Sequence, residues 1–126
     1  MPTYHAHGVL PVNNLEIQRR EEGAADVLYL KGEVNLFNCP EVKESIDELV
    51  GRGRTRIVLN LEHVSFIDSS GLGALISGHT NLRKSGSALR LACVPANIMK
   101  TFELTNLQSF FGIFPTEEQA LQSFPD

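Results

Sequence analysis

The residues best suited to chemistry in this chain are an acid, two hydroxyls and a glycine in one short run, Asp68-Ser69-Ser70-Gly71. The apolar run before them is typical of a strand, and the pattern after them is typical of a helix. The first backbone N–H groups of a helix have no acceptor within the helix, and the helix dipole adds partial positive charge there. A phosphate or other anion on Ser69 would therefore be stabilised by the start of this helix.

Two glycines at the start of the predicted helix favour a surface that another protein approaches closely. Gly71 and Gly73 have no side-chain bulk, so the backbone of a partner would be able to reach the Ser69 hydroxyl. A simpler interpretation is that Asp68 or Ser69 only caps the helix, because Asp and Ser are preferred in that position. On spacing alone, the cap is the favoured interpretation.

A catalytic serine fits the run poorly. A nucleophile elbow requires the pattern G-x-S-x-G, but Ile67 stands where the first glycine should be. The base would have to be His63, which precedes the turn, or His79, which falls on the core side of the predicted helix. Neither histidine is suitably placed, so we do not expect a hydrolase.

A phosphorylated aspartate of the receiver type is also a poor fit. Such a role for Asp68 would require a magnesium site built from an acidic pair after the first strand. Glu21 and Glu22 do follow the first predicted strand, but they belong to a hairpin turn. No glycine-rich phosphate loop is present either.

The composition limits the chain to one ordinary globular domain. It has 126 residues, of which 42% are apolar and 21% are charged. The 15 acidic and 11 basic side chains give a net charge of −4, which argues against a nucleic-acid partner. No apolar run approaches the ~18 residues of a membrane span, so we expect no membrane insertion and a cytoplasmic location. The densest basic run, residues 52–56, is predicted to be a solvated loop, and Cys39 and Cys93 predict no disulfide.

The hydrophobic periodicity predicts an alternating chain of strands and helices. Residues 1–14 have no sustained period and are predicted to be an N-terminal tail, whereas residues 15–126 form the domain. Residues 15–19 and 27–31 predict a hairpin, and residues 32–35 a polar loop. The full order is β-β-α-β-α-β-α-β-α, a single α/β domain with about four helices on one or both faces of a mixed sheet. The later strands are predicted at residues 57–61, 89–94 and 110–114.

The helices that support the run are recognised by their apolar faces and their ends. Asn38 or Cys39 is predicted to cap the first helix, and the run beginning at Thr116 matches a capping box. The predicted core faces are Val42, Ile46, Leu49 and Val50 in the first helix, Leu72, Leu75, Ile76, His79 and either Leu82 or Arg83 in the second, and Ile98, Met99 and Phe102 in the third, with Leu107 as a further candidate.

Three segments together resemble the STAS domain family, and more narrowly its anti-sigma factor antagonists. The stretch from Ile57 to Gly73, which ends in Phe66-Ile67-Asp68-Ser69-Ser70-Gly71-Leu72-Gly73, resembles the family signature. The run Leu30-Lys31-Gly32-Glu33-Val34-Asn35 resembles the strand-end pattern L-x-G-E-[LV]-D. Residues 95–107 resemble the helix pattern P-x-V-x-x-x-[LF]-x-x-[TS]-G-L. The likeness covers about residues 15–124 and makes a STAS-like fold the expected one.

The resemblance implies a switch protein that catalyses nothing itself. In such antagonists the first serine after the aspartate accepts a phosphoryl group from ATP, and the matching residue here is Ser69. The implied partner is an anti-sigma factor that is also a serine kinase, so ATP and magnesium would belong to that partner and this chain would need no cofactor. The unphosphorylated form binds the kinase and frees the sigma factor; the phosphorylated form is released, and a phosphatase resets it. The predicted partner-binding residues are Asp68, Ser70, Gly71, Gly73, Glu33 and Asn35.

Two positions depart from the family pattern. Asn35 stands where an aspartate is usual, which puts a charge contact with the kinase in doubt. Asn106 replaces a usual glycine, but asparagine tolerates the left-handed conformation expected there.

Two other functions remain open from the sequence. One is a STAS domain that serves as an unphosphorylated scaffold in a signalling assembly or a lipid-transport complex. The other is a module that senses a nucleotide through the same surface. The choice of Ser69 over Ser70 as the acceptor depends on the family pattern alone, since both hydroxyls lie in one turn.

Overall fold

The structure, a computed structural model, describes residues 14–125 and has the predicted order of elements. The predicted tail lies outside the described residues except for Asn14. No helix within residues 14–125 is long and apolar enough to cross a membrane. The elements are β1 Leu15–Glu22, β2 Ala25–Val34, α1 Cys39–Gly51, β3 Arg56–Ile67, α2 Ser69–Lys84, β4 Arg90–Ala92, α3 Ala96–Leu104, β5 Gly112–Phe114 and α4 Glu117–Gln122.

The strands form one mixed sheet in the order β1-β2-β3-β4-β5. β1 and β2 pair antiparallel, as predicted for a hairpin, and Gly23 in their turn has a left-handed φ of 61°. The remaining neighbours pair parallel, because a helix crosses over between successive strands. The parallel strands therefore end at one edge of the sheet, and β3 ends there at Ile67, immediately before Asp68 and Ser69.

Helices cover both faces of the sheet, but unequally. α1, α2 and α3 pack on one face against a core that includes Leu28 and Leu59. α4 packs on the opposite face, where the smaller cluster includes Val27 and Val58. β3 is therefore buried on both sides, as its continuous apolar run predicts. The predicted helix faces are confirmed as buried at Val42, Ile46, Leu49, Leu72, Leu75, His79, Leu82, Ile98 and Phe102, and as partly buried at Val50, Ile76 and Met99.

β2 and β3 extend further than the sequence predicts. The predicted polar loop at residues 32–35 is strand as far as Val34, and β3 continues to Ile67 instead of ending at Leu61. The register of the β2–β3 ladder shifts twice, so that β3 carries extra residues opposite β2. Such bulges break the two-residue alternation by which a strand is recognised in a sequence. The bulges thus account for the unpredicted length of β3. The loop predicted at residues 32–35 was wrong for another reason, because its small and polar residues Gly32 and Glu33 pair with Val64 and Phe66 of β3.

The last two strands are shorter than predicted. β4 covers Arg90–Ala92 and β5 covers Gly112–Phe114, so apolar neighbours such as Leu89 and Phe111 are buried without belonging to a strand. α4 begins where the Thr116 hydroxyl oxygen accepts a hydrogen bond from the Gln119 N–H at 3.1 Å. That contact confirms the cap predicted from the capping-box pattern.

A buried carboxylate fastens the hairpin to the loop before β3. The Asp26 side chain is fully buried and lies 2.7 Å from guanidinium nitrogens of both Arg19 and Arg54. The two guanidinium groups compensate the buried charge, which would be strongly destabilising if it were unpaired. The run at residues 52–56 is thus not simply solvated, since Arg54 ties it to β1 and β2.

Candidate functional site

The Asp68-Ser69-Ser70-Gly71 run forms the junction between β3 and α2, at the carboxyl edge of the parallel strands. Asp68 is the N-cap of α2, and its Oδ1 accepts a hydrogen bond from the Gly71 N–H at 2.8 Å. The Asp68 N–H donates to the Val34 carbonyl at 3.1 Å, which anchors the turn to the end of β2. The cap predicted as the simpler interpretation is therefore present, and Asp68 supplies it.

The cap uses only part of the hydrogen-bonding capacity of the helix start. The N–H groups of Gly71 and Leu72 donate to the side-chain and backbone oxygens of Asp68. Those of Ser69 and Ser70 have no acceptor within the part of the chain that the structure describes. Two N–H donors at the positive end of a 16-residue helix are thus available beside the Ser69 hydroxyl.

The two serines differ in accessibility. Ser69 is exposed, whereas Ser70 is half-buried in the first turn of α2. An enzyme that transfers a group to a hydroxyl must place its own reacting atoms within contact distance of that oxygen. The Ser69 hydroxyl meets this requirement better than its neighbour.

The two glycines differ in their surroundings. Gly71 was predicted to leave room for a partner, but it is packed against the sheet. A Cβ built on Gly71 would lie 2.8 Å from the Val34 carbonyl oxygen and 2.8 Å from Ile67 Cγ2. Gly71 is buried, so its missing side chain lets α2 approach β2 and β3, and it does not leave room for a partner. Gly73 is exposed with nothing within 4 Å of its built Cβ, as expected of a glycine on an open surface.

A second segment is brought beside the turn by the end of β2. Asn35 and Asn38 hold the loop between β2 and α1: the Asn35 N–H donates to Asn38 Oδ1 at 2.8 Å, and Asn35 Oδ1 accepts from the Phe37 N–H at 2.9 Å. Asp68 Oδ2 accepts a hydrogen bond from the Leu36 N–H at 3.1 Å. The predicted residues Asn35 and Asp68 are therefore close in the fold, although 33 positions apart in the chain.

Asn35 stands where the resembling family usually has aspartate, and its side chain holds the loop in place. Asn35 uses its side-chain oxygen as an acceptor for backbone N–H groups, and an amide oxygen serves this purpose as a carboxylate would. What asparagine lacks at position 35 is the negative charge of an aspartate. Glu33 is half-buried on β2 beside Phe66 of β3, and its backbone oxygen accepts from the buried Asn38 amide at 2.9 Å.

The histidines do not assemble a catalytic group with Ser69. His79 lies ten positions further along α2, or about 15 Å along the helix axis. It is buried, and its Nδ1 accepts a hydrogen bond from the Leu89 N–H at 3.2 Å. His63 is exposed on β3 and pairs with Lys31 of β2. A nucleophile elbow is thus unsupported by geometry as well as by sequence.

A receiver-type magnesium site is equally unsupported. Glu21 and Glu22 pair with Asp26 and Ala25 at the start of β2, whereas Asp68 follows the end of β3. β2 and β3 are parallel, so Glu21 and Glu22 lie near the amino ends of these strands, whereas Asp68 lies at their carboxyl ends. Within residues 14–125 no group of three or more His, Cys, Asp or Glu side chains is arranged to hold a metal ion.

Sequence reasoning missed Leu36 and Phe37. Both are exposed apolar side chains, at 63% and 72% of their full accessible area. The available signal was a pair of large apolar residues between two asparagines, in a segment with neither strand nor helix periodicity. Only the fold shows that Leu36 donates its N–H to Asp68, the residue before Ser69.

Known proteins resemble this chain in both sequence and fold. A protein-family model described as the STAS domain matches residues 16–120. The anti-sigma-B factor antagonist of Listeria monocytogenes is 28% identical over 100 residues, which are 79% of this chain and 87% of the relative.

Two solved structures share the arrangement of strands and helices. An anti-sigma factor antagonist from Mycobacterium paratuberculosis superimposes with a TM-score of 0.81 at 21% identity, over 94% of this chain and 100% of that chain. The Bacillus cell fate determinant SpoIIAA in its phosphorylated form gives a TM-score of 0.68 at 24% identity, over 85% of this chain and 97% of that chain. These likenesses establish a common fold.

Proposed function

Because this chain belongs to the STAS domain family, we propose that it is an anti-sigma factor antagonist switched by phosphorylation of Ser69. The observation that carries the proposal is the exposed Ser69 hydroxyl at the start of α2, beside a capping aspartate and two N–H groups without acceptors. The names of the sequence relatives, which are anti-sigma-B factor antagonists, support it. SpoIIAA, a protein of the same fold, has been solved in phosphorylated and unphosphorylated forms.

The proposed partners follow from this role. The unphosphorylated chain binds an anti-sigma factor that is also a serine kinase, and sigma-factor-dependent transcription then proceeds. The kinase brings its own ATP and magnesium and transfers the γ-phosphoryl group to the Ser69 oxygen, with loss of the hydroxyl proton and release of ADP. A phosphatase hydrolyses the phosphoserine and restores the binding form. This chain contributes the acceptor and the docking surface, and no catalytic group.

The release step is electrostatic. A phosphoserine adds about −1.5 to −2 charges at neutral pH, next to Asp68 and on a chain with a net charge of −4. A kinase surface that has just lost the γ-phosphate to Ser69 would have to cover this charge and strip it of water. A coupling of about 1–3 kcal/mol, or 5–150-fold in affinity, is typical of such switches and is enough to exchange partners.

The first prediction is the position of the phosphate. We expect the serine-kinase anti-sigma factor of the organism that encodes this chain to label the wild type with radioactive ATP at Ser69. Ser69→Ala abolishes the label, and Ser70→Ala, the matched control, retains it. Mass spectrometry of the peptide that contains both serines identifies the modified residue.

Two outcomes would contradict the proposal. Label that persists in Ser69→Ala would move the acceptor elsewhere. A chain that binds its partners tightly but is never phosphorylated would instead be an unphosphorylated STAS scaffold.

A further inference from the structure

The loop between β2 and α1 presents an apolar tip, which consists of Leu36 and Phe37. These side chains are 63% and 72% exposed, whereas a leucine or phenylalanine of a folded domain is commonly buried. They are neighbours in the chain, so the exposed apolar area is continuous. Nothing within residues 14–125 covers it.

The apolar tip is held in one conformation by its flanking asparagines. Asn38 is fully buried, accepts the Asn35 N–H through Oδ1 and donates through Nδ2 to the Glu33 carbonyl at 2.9 Å. Asn35 Oδ1 in turn accepts the Phe37 N–H at 2.9 Å. A buried, fully bonded asparagine fixes the backbone, so the exposure of the apolar side chains is a property of the fold.

The apolar tip is also tied to the turn that carries Ser69. The carboxylate of Asp68 bridges the two segments, with Oδ1 on the Gly71 N–H at 2.8 Å and Oδ2 on the Leu36 N–H at 3.1 Å. Leu36 is thus one hydrogen bond from the residue that precedes the proposed acceptor. This bridge and the pairing of β2 with β3 together set the position of the tip relative to Ser69.

The apolar tip therefore lies within the area that a kinase bound around Ser69 is expected to cover. A specific protein–protein interface buries about 800 Å² on each partner. An area of that size, centred on Ser69, extends well beyond the turn to segments that are hydrogen-bonded to it. Exposed aromatic side chains near the centre of such an interface contribute a large part of its affinity. Phe37 follows Leu36, whose N–H donates to Asp68, and at 72% it is more exposed than Phe66, the aromatic residue two positions before Asp68, which is 50% exposed.

We infer that Leu36 and Phe37 insert into an apolar pocket on the serine-kinase anti-sigma factor and anchor the complex while Ser69 receives the phosphate. This inference rests on the proposed function and identifies the side chains that supply the affinity of this protein for the kinase. The apolar tip takes no part in the chemistry at the Ser69 oxygen. It contributes binding that is the same in the ground state and in the transition state of phosphoryl transfer.

Kinetics of phosphorylation separate this role from a catalytic or a purely structural one. Loss of binding that is uniform in ground and transition states raises KM and leaves kcat unchanged. We expect Phe37→Ser and Leu36→Ser, in the full chain, each to raise the KM of the kinase for this protein at least about fivefold, the usual effect of an interface anchor. Thermal unfolding should show that both variants remain folded.

A matched control comes from the far end of α3. Leu104 is 76% exposed, so Leu104→Ser makes the same substitution as Leu36→Ser at a position that is also open to solvent. We expect its KM and kcat to equal those of the wild type. If Leu36→Ser, Phe37→Ser and Leu104→Ser all give the wild-type KM while Ser69 is still labelled, the anchor is refuted and the proposed function stands. If no kinase labels Ser69 in the wild type, the proposed function fails and the anchor fails with it.

Discussion

Asp68 caps α2, and this role is compatible with a phosphorylated neighbour. Its carboxylate is used by the N–H groups of Gly71 and Leu36, while the adjacent Ser69 remains exposed. The cap and the proposed acceptor are therefore separate residues in one turn. The two interpretations that compete in the sequence become complementary in the fold.

Substitution of the two glycines of the turn by alanine is predicted to change the free energy of unfolding in opposite directions. Gly71→Ala should destabilise the protein by about 1–3 kcal/mol, because the new methyl group meets the Val34 carbonyl oxygen and two core side chains at under 3 Å. Gly73→Ala should stabilise it by about 0.5–1 kcal/mol, because alanine favours a helix and its Cβ has open space. Urea unfolding of both variants beside the wild type gives the two differences. If both variants change the free energy of unfolding equally and in the same direction, the packing of Gly71 against β2 does not limit the size of the residue at position 71.

At the scale of elements, His79 joins α2 to the strands at the far edge of the sheet. Its Nδ1 accepts the Leu89 N–H just before β4, and its ring contacts Phe110 and Phe111 with centroids 4.6 and 5.5 Å apart. Burial lowers the pKa of His79, and the positive charges of Arg83 and Arg90 lower it further. The imidazole is therefore held in its neutral form, which the accepted hydrogen bond requires.

This arrangement predicts a loss of stability in mild acid. Since the pKa of His79 is lower in the folded protein than in the unfolded chain, the unfolded chain binds the extra proton first as the pH falls. The contribution of neutral His79 is complete above the unfolded pKa of about 6.5 and is lost progressively below it. Urea unfolding between pH 7.5 and pH 5 should show a steeper decline for the wild type than for His79→Gln, whose amide does not titrate. Parallel curves for the two proteins would exclude His79 as the cause.

At the scale of the whole molecule, the parallel strands and the net charge act on the same site. The strands β2 and β3 end side by side, so the apolar tip and the Ser69 turn share one edge of the sheet. The chain carries a net charge of −4 before any modification. A phosphate at this edge adds to a charge that is already negative.

Ser69→Asp tests the electrostatic switch. We expect it to weaken binding to the kinase at least about tenfold, a free-energy change of about 1.4 kcal/mol, and to move the thermal midpoint little, because the start of α2 favours a negative charge. Ser69→Asn is the matched neutral control and should retain most of the affinity. The difference between the two variants should shrink at high salt, since exposed charges are then screened. Calorimetry that finds equal affinities for Ser69→Asp and Ser69→Asn would count against repulsion as the cause of release.

Much of this protein is determined by local sequence. The apolar faces of α1, α2 and α3, the hairpin and the capped turn at Asp68 all depend on spacings within a few residues. The three segments that carry the family resemblance, residues 30–35, 57–73 and 95–107, are equally visible in the chain. These features are local because helical periods and caps involve neighbours three or four positions apart.

Tertiary structure decided the features that join distant segments. The bulges in β3 arise from its pairing with β2. The buried Asp26 is paired with Arg19 and Arg54, which come from two different segments, and Val34 constrains Gly71. The hydrogen bond from Leu36 to Asp68 is of the same kind, and together with the pairing of β2 and β3 it places an apolar loop beside the proposed phosphoacceptor. None of these contacts has a period or a spacing in the sequence, because each depends on how two segments far apart in the chain meet in space.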